Sequence, residues 1–176
     1  MASEIRFPIM LRLFAAAALA LLALPGLAPS RAMAEGPRVE ILDYGTYATG
    51  TRTTVPMPIS VSGKMNLVAN VRLLEKTAEV MGQLGTSFGF RYRVHGVPDG
   101  ATVTIRTRHP RLTDPDTGKS MNYGEREQTV TDGGERYTGY SFDSSYEIAE
   151  GEWSFQILYE GRVIGEQKFR VVVPMN

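Results

Sequence analysis

Alternation between apolar and polar residues constrains the fold of this chain more than any other feature. From Phe88 onward several segments carry an apolar side chain at every second position, as in Phe88, Phe90, Tyr92 and Val94. Successive side chains of a β-strand point to opposite sides, so a period of two residues is typical of a strand with one buried face. The second half of the chain is therefore predicted to consist of strands.

A second alternating segment follows closely. Val103, Ile105 and Thr107 share one predicted face, after a Pro-Asp-Gly sequence at residues 98–100. Proline presets its own φ and glycine tolerates a positive φ, so this tripeptide is a turn signal. We therefore predict that residues 88–95 and 101–108 form a hairpin.

The C-terminal segment shows the clearest alternation of all. Apolar residues alternate from Trp153 to Tyr159, and Glu160 and Gly161 then form a predicted two-residue connection to a closing strand. In that closing strand two adjacent apolar residues, at 163–164, precede a glycine. This break in parity predicts a β-bulge.

The first half of the chain is less regular. Residues 39–47 are predicted to be an edge strand and residues 48–63 a loose connection. Residues 67–82 carry apolar side chains at helical spacing, but they also alternate and are rich in β-branched residues, which favours strand. Residues 110–124 are predicted to be a turn-rich loop, followed by a short strand at 127–131. Seven or eight short strands predict an all-β fold, a single immunoglobulin-like antiparallel β-sandwich.

The N-terminal residues are typical of a targeting segment. Arg6 and Arg12 precede an apolar run at residues 13–24, and Ala-Met-Ala at residues 32–34 has the small-x-small pattern of a cleavage site. The apolar run is shorter than the roughly 20 residues that a membrane span requires. We predict a cleavable signal peptide at 1–34, a periplasmic or secreted location, and no membrane span after cleavage.

After cleavage, one domain is expected. Residues 35–66 would supply an N-terminal strand and the loose connection, and residues 67–176 the main body of the sandwich. The 19 basic and 19 acidic residues balance, which argues against a nucleic-acid partner. The chain has no cysteine, which excludes thiolate zinc sites and cysteine nucleophiles. No cofactor is expected.

Several short motifs together resemble a bacterial family of short exported proteins classified only as a domain of unknown function. The likeness extends over about residues 39–173 and implies an immunoglobulin-like sandwich without catalytic residues. The motifs are Gly85-x-x-Phe88-Gly89-Phe90, Val94-x-Gly96, Gly151-x-Trp153-x-Phe155 and Phe169-x-Val171.

Four arginines are the first candidate binding site. If the predicted hairpin forms, Arg91, Arg93, Arg106 and Arg108 share its outer face. Arginine binds carboxylates and phosphates in a planar, bidentate way, so this face would suit an envelope protein or an anionic glycan or lipid. The alternative is a structural ladder in which neighbouring acids such as Glu152 neutralise the arginines.

A hydrolase is the main alternative class of function. Residues 85–89 match the Gly-x-Ser-x-Gly pattern around Ser87, but a strand rather than a helix is predicted after the serine. His95 and His109 are the only possible imidazole bases, and His109 has the parity of a buried structural residue. Glu125 and Glu127 could form a glycosidase pair, although two acids on one strand are also typical of a solvated face.

A calcium-stabilised structural domain is the third alternative. Asp114, Asp116 and Glu125 occupy positions one, three and twelve of a possible calcium loop, but Gly118 stands at position five, where a ligand is needed. Taken together, these features lead us to expect a non-catalytic binding or accessory module of the bacterial cell envelope.

Overall fold

The computed structural model describes residues 36–174. Within this range the chain forms eleven strands and one short 3-10 helix: β1 (Arg38–Ala48), β2 (Arg52–Pro56), β3 (Lys64–Val68), β4 (Arg72–Glu75), β5 (Glu79–Met81), β6 (Ser87–His95), β7 (Ala101–Thr113), β8 (Ser120–Val130), β9 (Glu135–Ser141), the 3-10 helix (Ser145–Glu147), β10 (Gly151–Tyr159) and β11 (Arg162–Val172). No helix in this part of the chain has the length and apolar character needed to span a membrane. The predicted signal peptide lies outside the described residues.

The strands form two packed sheets and a separate hairpin. The first sheet has the order β4-β1-β6-β9, and the second has the order β5-β11-β10-β7-β8. All neighbours are antiparallel except β5 and β11, which run parallel. Strands β2 and β3 pair only with each other and form a two-stranded hairpin. The all-β, immunoglobulin-like class is thus confirmed, with more strands than predicted.

The core lies between the two sheets and contains the residues that alternation placed inside. Phe88, Phe90, Tyr92 and Val94 of the first sheet are fully buried. Phe88 contacts Trp153 of the second sheet edge to face, with ring centroids 5.6 Å apart. Such aromatic pairs are worth about 0.5–1.5 kcal/mol beyond the area they bury, so this contact helps to hold the sheets together.

The predicted hairpin of residues 88–95 and 101–108 is wrong. Strand β6 belongs to the first sheet and β7 to the second, so the connection between them crosses from one sheet to the other. It is held there by the connection between β8 and β9, because Asp132 accepts a hydrogen bond from the Gly96 amide at 2.7 Å and donates its own amide to Asp99. The turn residues are as predicted, but the direction in which the chain leaves the turn is not.

The closing hairpin is confirmed in both of its details. Glu160 and Gly161 connect β10 to β11 with φ of 49° and 76°. Positive φ at both central residues suits the right-handed twist of the flanking strands. Ile157 lies opposite Gly165 while Leu158 lies opposite Val163, so one extra residue is inserted as the predicted bulge.

The first half of the chain needs two corrections. Strand β1 is not an edge strand over its whole length, because residues 46–48 pair with β4 on one side while the rest pairs with β6. Residues 48–63 are not merely a loose connection, since they contain β2 and the turn of the β2–β3 hairpin. The preference for strand over helix at residues 67–82 is confirmed by β3, β4 and β5.

Candidate functional site

The four arginines of the predicted binding face do not form one surface. Arg91 and Arg93 lie on the outer face of the first sheet, and Arg106 and Arg108 lie on the outer face of the second. The two outer faces of a sandwich point away from each other, so one partner surface does not contact all four. The prediction of a shared face fails because it depended on the β6–β7 hairpin.

The arginines of the first sheet are neutralised by acids of the same face. Arg91 hydrogen-bonds both carboxylate oxygens of Asp43 and also contacts Glu135 at 3.2 Å. Hydrogen bonds from Arg91 and from Tyr47 hold the pKa of Asp43 below its usual value, against the opposing effect of burial. Arg93 lies 3.8 Å from Glu40. This arrangement is the structural ladder named as the alternative, built from other acids than Glu152.

The arginines of the second sheet also have partners. Arg106 donates to Glu125 at 2.5 Å, and Arg108 donates to Gln156 at 3.3 Å. Glu152, the acid named for the ladder, instead accepts from Lys168 at 3.1 Å. Of the four arginines, Arg91, Arg93 and Arg106 therefore lie beside carboxylates, and only Arg108 contacts a neutral group.

The structure does not assemble the predicted calcium ligands. Asp114 is buried and accepts a hydrogen bond from the Asp116 amide at 2.9 Å, which is a turn contact. Glu125 is turned toward Arg106 on the outer face. In residues 36–174 no group of three or more His, Asp or Glu side chains is placed to hold a metal ion.

Ser87 is part of the strand framework. It is 3% exposed, lies 2.6 Å from the hydroxyl of Ser141 and accepts from Arg52 at 3.4 Å. His95 lies at the other end of the same strand, roughly 26 Å away at about 3.3 Å per residue. His109 donates from Nδ1 to the Pro110 carbonyl. In the described part of the chain, neither imidazole is hydrogen-bonded to Ser87.

A cleft on one side of the sandwich is the strongest candidate site. Strand β9 is the edge of the first sheet and β8 the edge of the second, and the β2–β3 hairpin lies across the gap between them. The resulting cavity, which we call the edge cleft, has a volume of about 600 Å³. Its walls come from both edges, from the hairpin and from the 3-10 helix. Volumes of about 300–1,000 Å³ are typical of small-molecule sites.

The hairpin is fixed over the cleft by polar contacts at two places. Asp143, just after β9, accepts hydrogen bonds from Arg52 of β2 at 2.5 Å and from Asn66 of β3 at 2.8 Å. On the other side the Glu125 amide donates to the Ile59 carbonyl at 2.8 Å. Gly124 permits this second contact, because a Cβ there would lie 3.1 Å from the Ile59 carbonyl oxygen.

One end of the cleft is closed by a buried carboxylate with a full set of partners. Glu147 accepts from the amides of Asp143 and Ser144 at 2.8 Å and from the Tyr140 hydroxyl at 3.0 Å. Burial raises the pKa of Glu147 despite these hydrogen bonds. Because its donors are supplied by the turn that ends β9, Glu147 holds the shape of the cleft.

Arg126 lies in the middle of the cleft and has no such partners. Its neighbours in inward parity on β8 are Gly124, Gln128 and the core residue Val130, so the guanidinium projects between the two edges. Within residues 36–174 Arg126 makes no hydrogen bond and has no carboxylate within 4.0 Å. Burial lowers the pKa of Arg126, against an opposing effect from nearby Tyr92.

The cleft continues past Arg126 along the hairpin. A second cavity of about 300 Å³ shares Arg126 and parts of β3 and β9 with the first and extends toward Gln128 and Glu135. The lining offers many neutral hydrogen-bonding groups beside tyrosine rings. These residues are Thr54, Ser60, Ser62, Asn66, Thr107, Thr138, Ser141, Tyr137, Tyr140 and Tyr146.

Reasoning from the sequence missed this site for an identifiable reason. The strand after the loop was predicted at residues 127–131, whereas β8 begins at Ser120. Extending the alternation back from Val130 would have placed Arg126 inside and Glu125 and Glu127 outside. The signal that could have revealed the site is Arg126, a charged residue at a position where the alternation predicts a buried side chain.

Comparison with known families identifies the domain. A family model described as "Domain of unknown function (DUF3859)" matches residues 36–171. The match includes both sheets and the hairpin, and it confirms the resemblance drawn from the sequence motifs. A search of curated proteins found no match to the chain.

Solved structures support the fold. The chain is similar to an immunoglobulin-like protein from Pseudomonas aeruginosa, with a TM-score of 0.58 and 24% sequence identity. The similarity includes 80% of this chain and 99% of that protein. At this level of identity the likeness shows a common fold.

Proposed function

The chain belongs to the DUF3859 family, and we propose that it is an exported, non-catalytic binding module of the bacterial cell envelope that holds its ligand in the edge cleft. The observation that carries this proposal is the cavity of about 600 Å³ between β8 and β9. A hairpin that only protected the two edge strands, β8 and β9, could pack directly against them without leaving a cavity. Here the covering hairpin instead spans an open, polar space of ligand size.

The chemistry of the lining supports binding rather than catalysis. Three of the four acids in the lining, Glu147, Asp143 and Asp114, accept hydrogen bonds from other groups of the protein, which fixes them as parts of the wall. The hydrolase alternative requires a base beside Ser87, whose hydrogen-bond partners are Ser141 and Arg52. Neutral hydroxyl and amide groups are suited to recognising a polar ligand.

A cleft-filling variant tests the proposal. Met65 lines both cavities and is half-buried, so Met65→Trp should fill the cleft. Thr53→Trp is the matched control, because Thr53 is an exposed residue of the same hairpin outside both cavities. NMR titrations would use neutral sugars, uronic acids, sugar phosphates and dipeptides. A probe that shifts cleft resonances in wild type and Thr53→Trp but not in Met65→Trp supports the proposal. If no probe shows this pattern, the proposal fails.

The location is tested independently. Expression of the full chain in a Gram-negative bacterium, followed by cell fractionation and N-terminal sequencing, should give a periplasmic or secreted protein that begins at Glu35. Retention of residues 1–34 on a cytoplasmic protein would contradict the proposed export.

A further inference from the structure

Building on the proposed binding role, we infer that the edge cleft binds a saccharide bearing a carboxylate, and that Arg126 binds this carboxylate. The inference starts from the uncompensated charge of Arg126. The side chain of Arg126 is partly buried and, within residues 36–174, has no hydrogen bond and no nearby carboxylate, while its guanidinium nitrogens remain accessible from the cleft. These donors are therefore available to a ligand that enters the cleft. A ligand carboxylate would supply the missing partner with two parallel hydrogen bonds.

The charges around Arg126 favour a group with a single negative charge. The larger cavity is lined by two cations, Lys64 and Arg126, and by four acids, Asp114, Asp116, Asp143 and Glu147. A dianionic phosphate in this cleft would be repelled by the excess of acids. A carboxylate carries half of that charge, so the same acids repel it less, and Arg126 matches its single charge.

The rest of the lining favours a saccharide as the carrier of the carboxylate. Hydroxyl and amide groups such as those of Thr54, Asn66 and Thr138 can exchange hydrogen bonds with sugar hydroxyls. Tyrosine rings such as Tyr146 offer apolar surface beside polar groups.

The position of Arg126 also predicts the length of the ligand. It lies where the two cavities meet, so space is available on both sides of the guanidinium. The carboxylate is therefore expected on an inner unit of an oligosaccharide, and a single uronic acid should bind less tightly than a trisaccharide.

The probes are compared in pairs of equal length. Calorimetric titration of the protein, purified after expression of the full chain, would compare galacturonate and glucuronate trisaccharides with their methyl esters, and the single sugar galacturonate with galactose 1-phosphate. The esters keep the rings and lose the charge. In wild type at least one acidic trisaccharide should bind at least tenfold more tightly than its ester, and galacturonate should bind more tightly than galactose 1-phosphate.

Three variants assign the effect to Arg126. Arg126→Gln should remove the preference for acid over ester, and Arg126→Lys should retain only part of it because lysine lacks the planar fork. Lys64→Gln removes the same charge from the same cleft and should change affinity less than threefold. A purely structural Arg126 would instead show itself as a loss of thermal stability in Arg126→Gln, which we do not expect because no internal partner is left unpaired.

The outcomes separate this inference from the proposed function. If esters and acids bind equally in a manner blocked by Met65→Trp, the cleft is a binding site but the carboxylate inference is overturned. Preference for the phosphate, or an equal effect of Lys64→Gln and Arg126→Gln, also overturns it. If Met65→Trp affects no probe, both proposals fail.

Discussion

Gly89 and Gly139 lie directly opposite each other on β6 and β9, and neither position has room for a side chain. A Cβ on Gly89 would lie 2.2 Å from the Thr138 carbonyl oxygen, and a Cβ on Gly139 would lie 2.5 Å from the Phe88 carbonyl oxygen. The edge strand that forms one wall of the cleft therefore depends on a pair of glycines for its position.

This relationship predicts the effect of a single methyl group. Gly89→Ala should lower the free energy of unfolding by about 1–3 kcal/mol or more, because the clash is with backbone rather than with a flexible side chain. Gly36→Ala is the control, since no atom lies within 4 Å of a Cβ there, and it should change stability by less than about 0.5 kcal/mol. Urea unfolding measures both. Equal stability of the two variants would contradict the close approach.

Removing Arg91 should cost more than removing Arg108. Arg91→Ser leaves Asp43, whose side chain is 13% exposed, without its main partner and should cost about 1–3 kcal/mol. Arg108→Ser loses one long hydrogen bond to Gln156 and should cost less than about 0.5 kcal/mol. Urea unfolding at neutral pH distinguishes the variants.

The same comparison has a defined pH dependence. The pKa of Asp43 is lowered in the folded state, so the folded state binds fewer protons and its stabilisation is present above the ordinary carboxyl pKa of 3.8. The stability difference between wild type and Arg91→Ser should therefore shrink only as the pH falls below this value. A difference that shrinks near neutral pH would assign the effect to another group.

His109 should make the protein less stable in mild acid. Burial against Trp153 lowers the pKa of His109 below 6.5, although the hydrogen bond to the Pro110 carbonyl opposes this effect. The unfolded state then binds more protons, so stability is full above pH 6.5 and falls as the pH drops toward the folded pKa, by at most about 1.4 kcal/mol per pH unit for one proton.

His109→Gln keeps a donor for Pro110 and removes the titration. Glu147 has the opposite effect on stability, because its raised pKa favours the folded state at lower pH. This contribution is the same in wild type and in His109→Gln, so it cancels when the free energy of unfolding of the variant is subtracted from that of wild type at each pH. The difference, measured by thermal unfolding between pH 5 and pH 8, should slope downward toward acid. A flat difference would show that His109 titrates with the same pKa in both states.

Asp143 should hold the hairpin without contributing much to global stability. Its ion pair with Arg52 is about one-third exposed, and such pairs are worth about 1 kcal/mol or less. Asp143→Ala should nevertheless accelerate hydrogen exchange in the hairpin, for example at the Met57 amide that donates to Gly63. Glu152→Ala breaks an exposed ion pair elsewhere and should leave hairpin exchange unchanged. Faster exchange in the core strand β6 instead would contradict this assignment.

The sequence predicted which side of each strand is buried more reliably than which strands are neighbours. The alternation through Phe88 and Trp153 is local, because it depends only on the direction of successive side chains. The neighbour of β6 depends on the direction in which residues 96–100 leave the turn, and a five-residue connection serves a hairpin and a sheet crossing equally well. The prediction that the four arginines share one face was wrong for this reason.

The hairpin and the cleft could not be predicted from alternation. Residues 52–56 of β2 are almost all exposed, so no apolar periodicity marks them as a strand. Arg126 was not recognised as an inward-facing residue, because the strand was predicted to begin at residue 127 whereas β8 begins at Ser120. Both errors arise where a strand packs over a cavity instead of a core, since such a strand has no need of buried apolar residues.

The parallel pairing of β5 with β11 has a consequence for how the molecule forms. Glu79 and Val80 pair with Arg170 and Val171 of the last strand. During synthesis from the N-terminus, β5 and one edge of β10 remain unpaired until β11 has been made, so the second sheet is completed only at that point. Pairings distant in sequence form slowly and leave apolar edges exposed meanwhile. The nascent chain is thus expected to be most prone to aggregation before β11 joins β5 and β10.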